Sequence, residues 1–189
     1  RWGVSWDLEV PLYFAPSDKF EEKLTLKRSN AHEIIAEECK SIREGLALLD
    51  ITGFSRFEVK GKNAKVWLDQ IFATKLPQPG RARLAVMLSF SGKLKGDLTL
   101  LNWGDGTYWI MGSYYLRAWH MRWFNEHMQD GVSIRDLGDE ICGFALIGPN
   151  SRSVLQRVAE EDVSDMRFMD CKKLDIGLVR SSVARMSVT

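Results

Sequence analysis

The triplet Gly104-Asp105-Gly106, set between two apolar runs, constrains this chain more than any other feature. Two glycines flanking an aspartate supply the positive backbone angles of a tight reversal, so the runs beside them predict antiparallel strands over 97–103 and 107–113. A Ser-Gly turn at 91–92 joins a third strand, over 83–90, to the first of these. Loop length then decides which residues share a face, because side chains alternate along a strand with a period of two. With a two-residue loop of Asp105-Gly106, Trp109 faces Asn102 and lies across the sheet from the face of Asp97. With a three-residue loop and a bulge, Trp109 pairs with Leu101, Met111 pairs with Thr99, and both share the face of Asp97.

Asp97 is the unusual residue of the middle strand, which reads Gly-Asp-Leu-Thr-Leu-Leu from Gly96. Aspartate is depleted in strands and costly to bury without a partner. As a turn residue, its carboxylate would cap nearby amides. As a solitary carboxylate set into an apolar sheet face, it would hydrogen-bond an amine or stabilise a developing cation.

Around these strands the sequence alternates helices with further strands. Residues 1–24, rich in aromatics and interrupted by Pro11 and Pro16, suit an extended segment lying on a surface that shelters Trp2, Trp6, Tyr13 and Phe14. The spacing predicts a helix over 30–48, with Asn30 and Glu33 at capping-box spacing and Ala31, Ile34, Ile35, Cys39, Ile42 and Leu46 on its buried face. A strand over 55–60 places Phe57 and Val59 on one side, and Ala64, Trp67, Leu68 and Ile71 mark a second helix over 63–73. A third helix over 118–128 carries Trp119, Trp123 and Phe124 as core residues. A buried strand over 141–147, a helix over 151–159 and two strand-like runs, 172–176 and 178–188, complete the pattern. Helices interleaved with antiparallel strands make the class α+β.

Composition excludes several functions. Lysines and arginines total 26 against 25 aspartates and glutamates, a formal net charge of +1, which recommends neither nucleic acid nor an anionic membrane as partner. No apolar run approaches the roughly 20 residues of a membrane span. Cys39, Cys142 and Cys171 form no C-x-x-C pair, and His32, His120 and His127 have no metal-ligand spacing, so reduced and mostly buried thiols are expected. No G-x-S-x-G elbow or complete phosphate loop occurs. Gly148-Pro149-Asn150-Ser151 could offer amides to an anion at a helix start, or form a plain turn and cap.

Taken together, several stretches carry a resemblance. Arg43-Glu44-Gly45-Leu46-Ala47-Leu48-Leu49-Asp50-Ile51-Thr52, Phe57-Glu58-Val59-Lys60-Gly61 with Ala64 and Trp67-Leu68, Met87-Leu88, Gly96-Asp97-Leu98-Thr99 and Gly148-Pro149-Asn150-Ser151-Arg152 follow in the order seen in the folate-binding aminomethyltransferase domain. The likeness covers 25–189 and is strongest to the flavin-linked dimethylglycine and sarcosine dehydrogenases, which Leu26-Lys27-Arg28-Ser29-Asn30-Ala31 and His120-Met121-Arg122-Trp123-Phe124 also resemble. It implies a Greek-key sheet with a mixed α/β subdomain, here truncated. Residues 1–24 would then be the tail of a preceding flavin oxidoreductase domain, covalently attached, with FAD held only in that domain outside this chain.

The resemblance further implies that tetrahydrofolate and an N-methylated amine are the small-molecule partners, with no nucleic acid and no membrane involved. Asp97 matches the essential aspartate of the family, and Phe54, Leu84, Trp109 and Met111 match positions lining the pterin, which requires the three-residue loop. In the implied reaction, flavin oxidises an N-methyl amine to an iminium and N5 of tetrahydrofolate attacks the methylene carbon. The demethylated amine leaves and N10 closes the ring to 5,10-methylenetetrahydrofolate, with Asp97 at N10. Relatives continue past Thr189 into a segment whose glutamate grips the pterin and on to a channel arginine, so the chain is expected to be an inactive part of a longer enzyme of bacterial cytoplasm or mitochondrial matrix. Two alternatives stand beside it. One is a regulatory or scaffolding relative without the chemistry; the other is the folate-binding iron–sulfur assembly factor.

Overall fold

The computed structural model describes residues 1–5 and 8–186, so Trp6 and the expected strand end at 187–189 lie outside the described residues. Its contacts group into two units, one of residues 1–49 with 146–151 and one of 50–145 with 152–189.

In the first unit the N-terminal stretch forms a hairpin in place of a wholly extended segment. β1 (Trp2–Ser5) pairs antiparallel with β2 (Leu8–Pro11), Trp2 opposite Pro11. Of its aromatics, Tyr13 is buried while Trp2 and Phe14 remain exposed. Tyr13 donates to Glu22 Oε2 at 3.1 Å and meets the edge of Phe20.

Helix α1 (Ala31–Glu44) begins where the sequence predicts but forms no capping box. The Asn30 carboxamide is occupied elsewhere, accepting from Lys23 N and donating to Glu21 O. The helix stops at Gly45, four residues earlier than the periodicity suggests, because the chain turns extended into β3 (Ala47–Asp50), which pairs with β9 (Phe144–Ile147). Its sheltered stripe is Ala31, Ile34, Glu38 and Ile42, while Ile35 and Cys39 face outward. Gly148 (φ 117°) lies so close to the Gly45 carbonyl that a Cβ would stand 2.4 Å from it. The Asn150 and Ser151 amides donate to Gly45 O and Gly148 O, so the 148–151 stretch is a turn and offers no anion cradle.

The second unit is built on a five-stranded antiparallel sheet in the order β5-β6-β7-β4-β8. These strands are β5 (Arg81–Leu88), β6 (Leu94–Asn102), β7 (Tyr108–Gly112), β4 (Ser55–Lys60) and β8 (Ser133–Asp136). One face carries the main core against helices α2 (Ala64–Ile71) and α3 (Arg117–Glu126). Phe57, Val59, Trp67, Met87, Ile110 and Phe124 lose all measurable exposure there. Each such side chain contributes roughly 1.5–3 kcal/mol of burial. Phe124 meets Phe57 and Trp67 edge-on at 5.3 and 6.0 Å. Trp119, expected in the core, stays 41% exposed and carries the Lys95 ammonium over its ring.

The opposite face is covered at one end only. Ala82 and Leu101 pack there with Cys171 of β10 (Cys171–Ile176), with Ala184 of β11 (Val179–Ala184) and with Trp103, Trp109, Met111 and Met169 beside them. Helix α4 (Ser151–Val158) leads into a smaller cluster of Val163, Met166 and Leu174. β9 is only partly buried, where the sequence suggests a buried strand. Cys39 and Cys142 are exposed and only Cys171 is buried, so the expectation of mostly buried thiols fails for two of the three.

Candidate functional site

The hairpin after β6 has the three-residue loop. Asn102 pairs with Tyr108 and Trp103 N donates to Thr107 O at 3.1 Å, leaving Gly104 (φ 84°), Asp105 and Gly106 (φ 83°) as the reversal. Asp105 stiffens it by accepting from Thr107 N at 3.0 Å and from Lys173 Nζ at 2.6 Å. Register follows at once: Leu101 opposes Trp109, Thr99 opposes both Met111 and Leu84, and Asp97 opposes Val86. Leu84, Asp97, Trp109 and Met111 therefore stand on one face of the sheet, the face away from α2 and α3.

Asp97 is not at a turn. β6 starts three residues before it, at Leu94, and among the described residues its carboxylate accepts no hydrogen bond and makes no ion pair. The amide-capping reading of this residue therefore fails. Its side chain is exposed, so the desolvation cost that the strand position implies is small here. The physical reason is that β10 and β11 cover the Ala82–Leu101 end of this face and leave the Leu84–Asp97 end open; Leu84 is 65% exposed. An anion without a partner, beside open apolar surface, can pair with a cation or an amine.

Trp109 and Met111 are partly buried at the border between covered and open surface. Trp103 meets Trp109 edge-on at 5.0 Å and 77°. On the other side, Glu58 opposes Trp109 across the β4–β7 pair. Burial would raise the Glu58 carboxyl, but Lys60 at 2.9 Å, the Trp109 indole and Arg135 at 3.5 Å together hold it below the usual carboxylate range. The indole is thus held at its edge by Trp103 and faces Glu58 across the strand pair.

Phe54 stands one residue before β4 and is about half exposed. The loop that carries it is fixed by Arg56, which opposes Met111 and is 3% exposed. The Arg56 guanidinium donates to the carbonyls of Ile51 at 2.8 Å, Thr52 at 3.0 Å and Phe54 at 3.0 Å. Gly143 admits it, since a Cβ there would stand 1.9 Å from Nη2. Burial lowers the guanidinium pKa and the Asp50 charge opposes that shift; arginine remains cationic regardless.

Sequence reasoning missed Arg56 and Glu58 as site residues. The signal was available in Ser-Arg-Phe-Glu-Val-Lys, where Arg56, Glu58 and Lys60 occupy the face opposite Phe57 and Val59. It also missed that His120 is fully buried on α3. Burial pushes its imidazole below the ordinary value of 6.5, while the Lys95 backbone and the Asp97 charge pull the other way. Among the described residues no His, Cys, Asp and Glu cluster could hold a metal ion, and no helix is long and apolar enough to cross a membrane. A cleft of about 750 Å³ in the first unit is lined by Trp2, Tyr13, Phe14 and Phe20 among others. It contains none of Phe54, Leu84, Asp97, Trp109 and Met111.

Comparison with known proteins gives a consistent result. The chain is similar to the human mitochondrial dimethylglycine dehydrogenase, with 26% identity over 182 residues that make up 94% of this chain and 21% of that protein. It is similar to the aminomethyltransferase of Anoxybacillus flavithermus, with 27% identity over 158 residues, 82% of this chain and 43% of that one. It therefore spans less than half the length of either relative. Among solved structures, the glycine cleavage system aminomethyltransferase T from Bartonella henselae matches with a TM-score of 0.74 at 17% identity, covering 92% of this chain and 43% of that one. The shared fold is the mixed α/β arrangement with mainly antiparallel sheets described above. The family described as the GCVT N-terminal domain matches residues 1–189, and the chain belongs to that family.

Proposed function

We propose that this chain is the tetrahydrofolate-binding portion of a flavin-linked N-methyl amino acid dehydrogenase of the dimethylglycine or sarcosine type. In this reading, FAD held outside these residues would supply the oxidation of the methyl group, and the open half of the sheet would hold the tetrahydrofolate that takes the carbon as methylene. The observation that carries the proposal is the register of the three-residue loop, by which Leu84, Trp109 and Met111 share a sheet face with the unpartnered Asp97. Those residues fit the group: three apolar side chains offer flat contact to a heterocycle, and one fixed anion faces its amine nitrogens. Phe54, whose carbonyl Arg56 holds, would add a further apolar contact from the start of β4.

Asp97 acts as a fixed charge more than as a proton carrier. A carboxylate about 4 Å from a developing cation stabilises it by about 1 kcal/mol in open water and about 4 kcal/mol at an effective dielectric near 20. Covering the site with a bound heterocycle moves Asp97 from the first regime towards the second. The similarity to a dimethylglycine dehydrogenase and to an aminomethyltransferase supports the pairing of oxidation with one-carbon transfer.

The test is Asp97→Asn in the full-length natural protein. Amine-dependent flavin reduction should be unchanged, methylenetetrahydrofolate yield should fall by up to about 1000-fold, and formaldehyde should appear in its place. An unchanged yield would remove Asp97 from the mechanism.

A further inference from the structure

Asp97 follows a break in the β5–β6 ladder. Met87 pairs with Gly96 and Leu88 with Leu94, so Lys95 is the extra residue of a bulge. Bulges re-aim the side chains next to them and leave the extra residue without a ladder partner, so something else must fix its geometry.

Helix α3 holds this bulge from the core side. Lys95 Nζ lies 4.7 Å from the ring centre of Trp119 and 5.0 Å from that of Trp123. Between these two residues in sequence comes His120, which is 1% exposed and lies against the Lys95 backbone and within reach of the Asp97 charge. Two glycines make room for the ring. A Cβ on Gly96 would stand 2.8 Å from His120 Nε2, and one on Gly112 would stand 3.7 Å from Cε1. Among the described residues, neither ring nitrogen has a hydrogen-bond partner of full geometry, nor does the buried Ser55 Oγ, which also adjoins Gly112. Buried polar groups are nearly always satisfied, and an apolar ring would pack here without that cost. The imidazole therefore needs a reason to be present, and the polar backbone next to it is the unpaired bulge.

We propose that His120 is a positioning residue: with the Trp119–Lys95–Trp123 clasp it fixes the bulge at Lys95–Gly96 from beneath the sheet, and so sets the direction in which Asp97 carries its carboxylate on the other face. The inference rests on the role given to Asp97 above. His120 touches no substrate in this arrangement; it acts through the backbone of two residues that lead directly into Asp97.

Two variants test it in the full-length natural protein. His120→Phe keeps ring volume and removes both nitrogens. Gly96→Ala keeps the imidazole and pushes it away from the strand. Both should lower kcat for methylene transfer to tetrahydrofolate by about 10- to 100-fold, the scale of a small misplacement of a catalytic group, with KM for tetrahydrofolate changed by less than about threefold because Leu84, Trp109 and Met111 are untouched. Amine-dependent flavin reduction should be unaffected. A rise in KM equal to the fall in kcat, or no change in either variant while Asp97→Asn abolishes transfer, would overturn the positioning role and leave the reading of Asp97 intact. If Asp97→Asn itself transfers normally, the parent reading falls and takes this one with it. Should His120→Phe fail to fold, Gly96→Ala decides the matter alone.

Discussion

Replacing Trp109 with alanine separates the two jobs assigned to its ring. In the folded chain the indole is partly buried, meets Trp103 edge-on at 5.0 Å and lies opposite Glu58. A fully buried tryptophan truncated to alanine costs about 3–5 kcal/mol, of which a partly buried ring loses roughly half. The edge contact adds about 0.5–1.5 kcal/mol, so Trp109→Ala should lower unfolding free energy by about 2–4 kcal/mol. If the free face of the ring also stacks on a heterocycle, binding should weaken by a further 1–3 kcal/mol, or about five- to 150-fold in Kd. Chemical denaturation gives the first number, and calorimetric titration of the folded protein with tetrahydrofolate gives the second. Trp103→Ala is the control, because it removes the same edge contact from the covered side. It should cost stability while leaving Kd within about threefold. Trp109→Ala with full loss of stability and unchanged Kd would refute the stacking argument and make the ring a structural partner of Trp103 alone.

Other consequences are open to simpler measurements. Arg56→Met should destabilise the protein by about 3 kcal/mol, since three backbone carbonyls lose their donor, and limited proteolysis should then cut within 51–54 first. A thiol reagent at pH 8 should label Cys39 and Cys142 in the folded protein, whereas Cys171, buried and pushed up to about 11, should react only after unfolding. Because burial holds the folded His120 below its ordinary 6.5, the unfolded chain takes up that proton first as pH falls. Stability should therefore decline from pH 6.5 downward, with a slope from this group of at most about 1.4 kcal/mol per pH unit. Urea midpoints between pH 7.5 and 5 should show that decline, and His120→Phe should flatten it.

The elements that were legible are those with a strong local period. Ala64, Trp67, Leu68 and Ile71 place α2 to within two residues, and Phe57 with Val59 places β4, because burial of one face imposes its spacing on the sequence. β3 and β8 were not legible. Each has four residues, too few for a period to show, and each forms only because a partner strand presents a free edge. The error at α1 is instructive. Ile35 and Cys39 look like core residues by type, yet the sheltered stripe runs through Ile34, Glu38 and Ile42, one step around the helix. Glu38 earns that place by accepting from Phe14 N at 2.8 Å, a partner 24 residues away that no periodicity reveals.

The candidate site divides along the same line. The antiparallel hairpin, the identity of Asp97 as a carboxylate out of place in a strand, and two possible registers for the residues opposite it were all written in the residue order. Glycine at 104 and 106 and the two-residue alternation are local properties of the chain and need no tertiary context. Packing in three dimensions chose between the registers, left Asp97 exposed and without a partner, buried Arg56 against three carbonyls and set His120 beneath the bulge. Those outcomes depend on which distant segments cover each face. β10 and β11 reach one end of the sheet and stop, so a carboxylate that would be prohibitive in a closed core is tolerated at the open end, where its charge remains free to act.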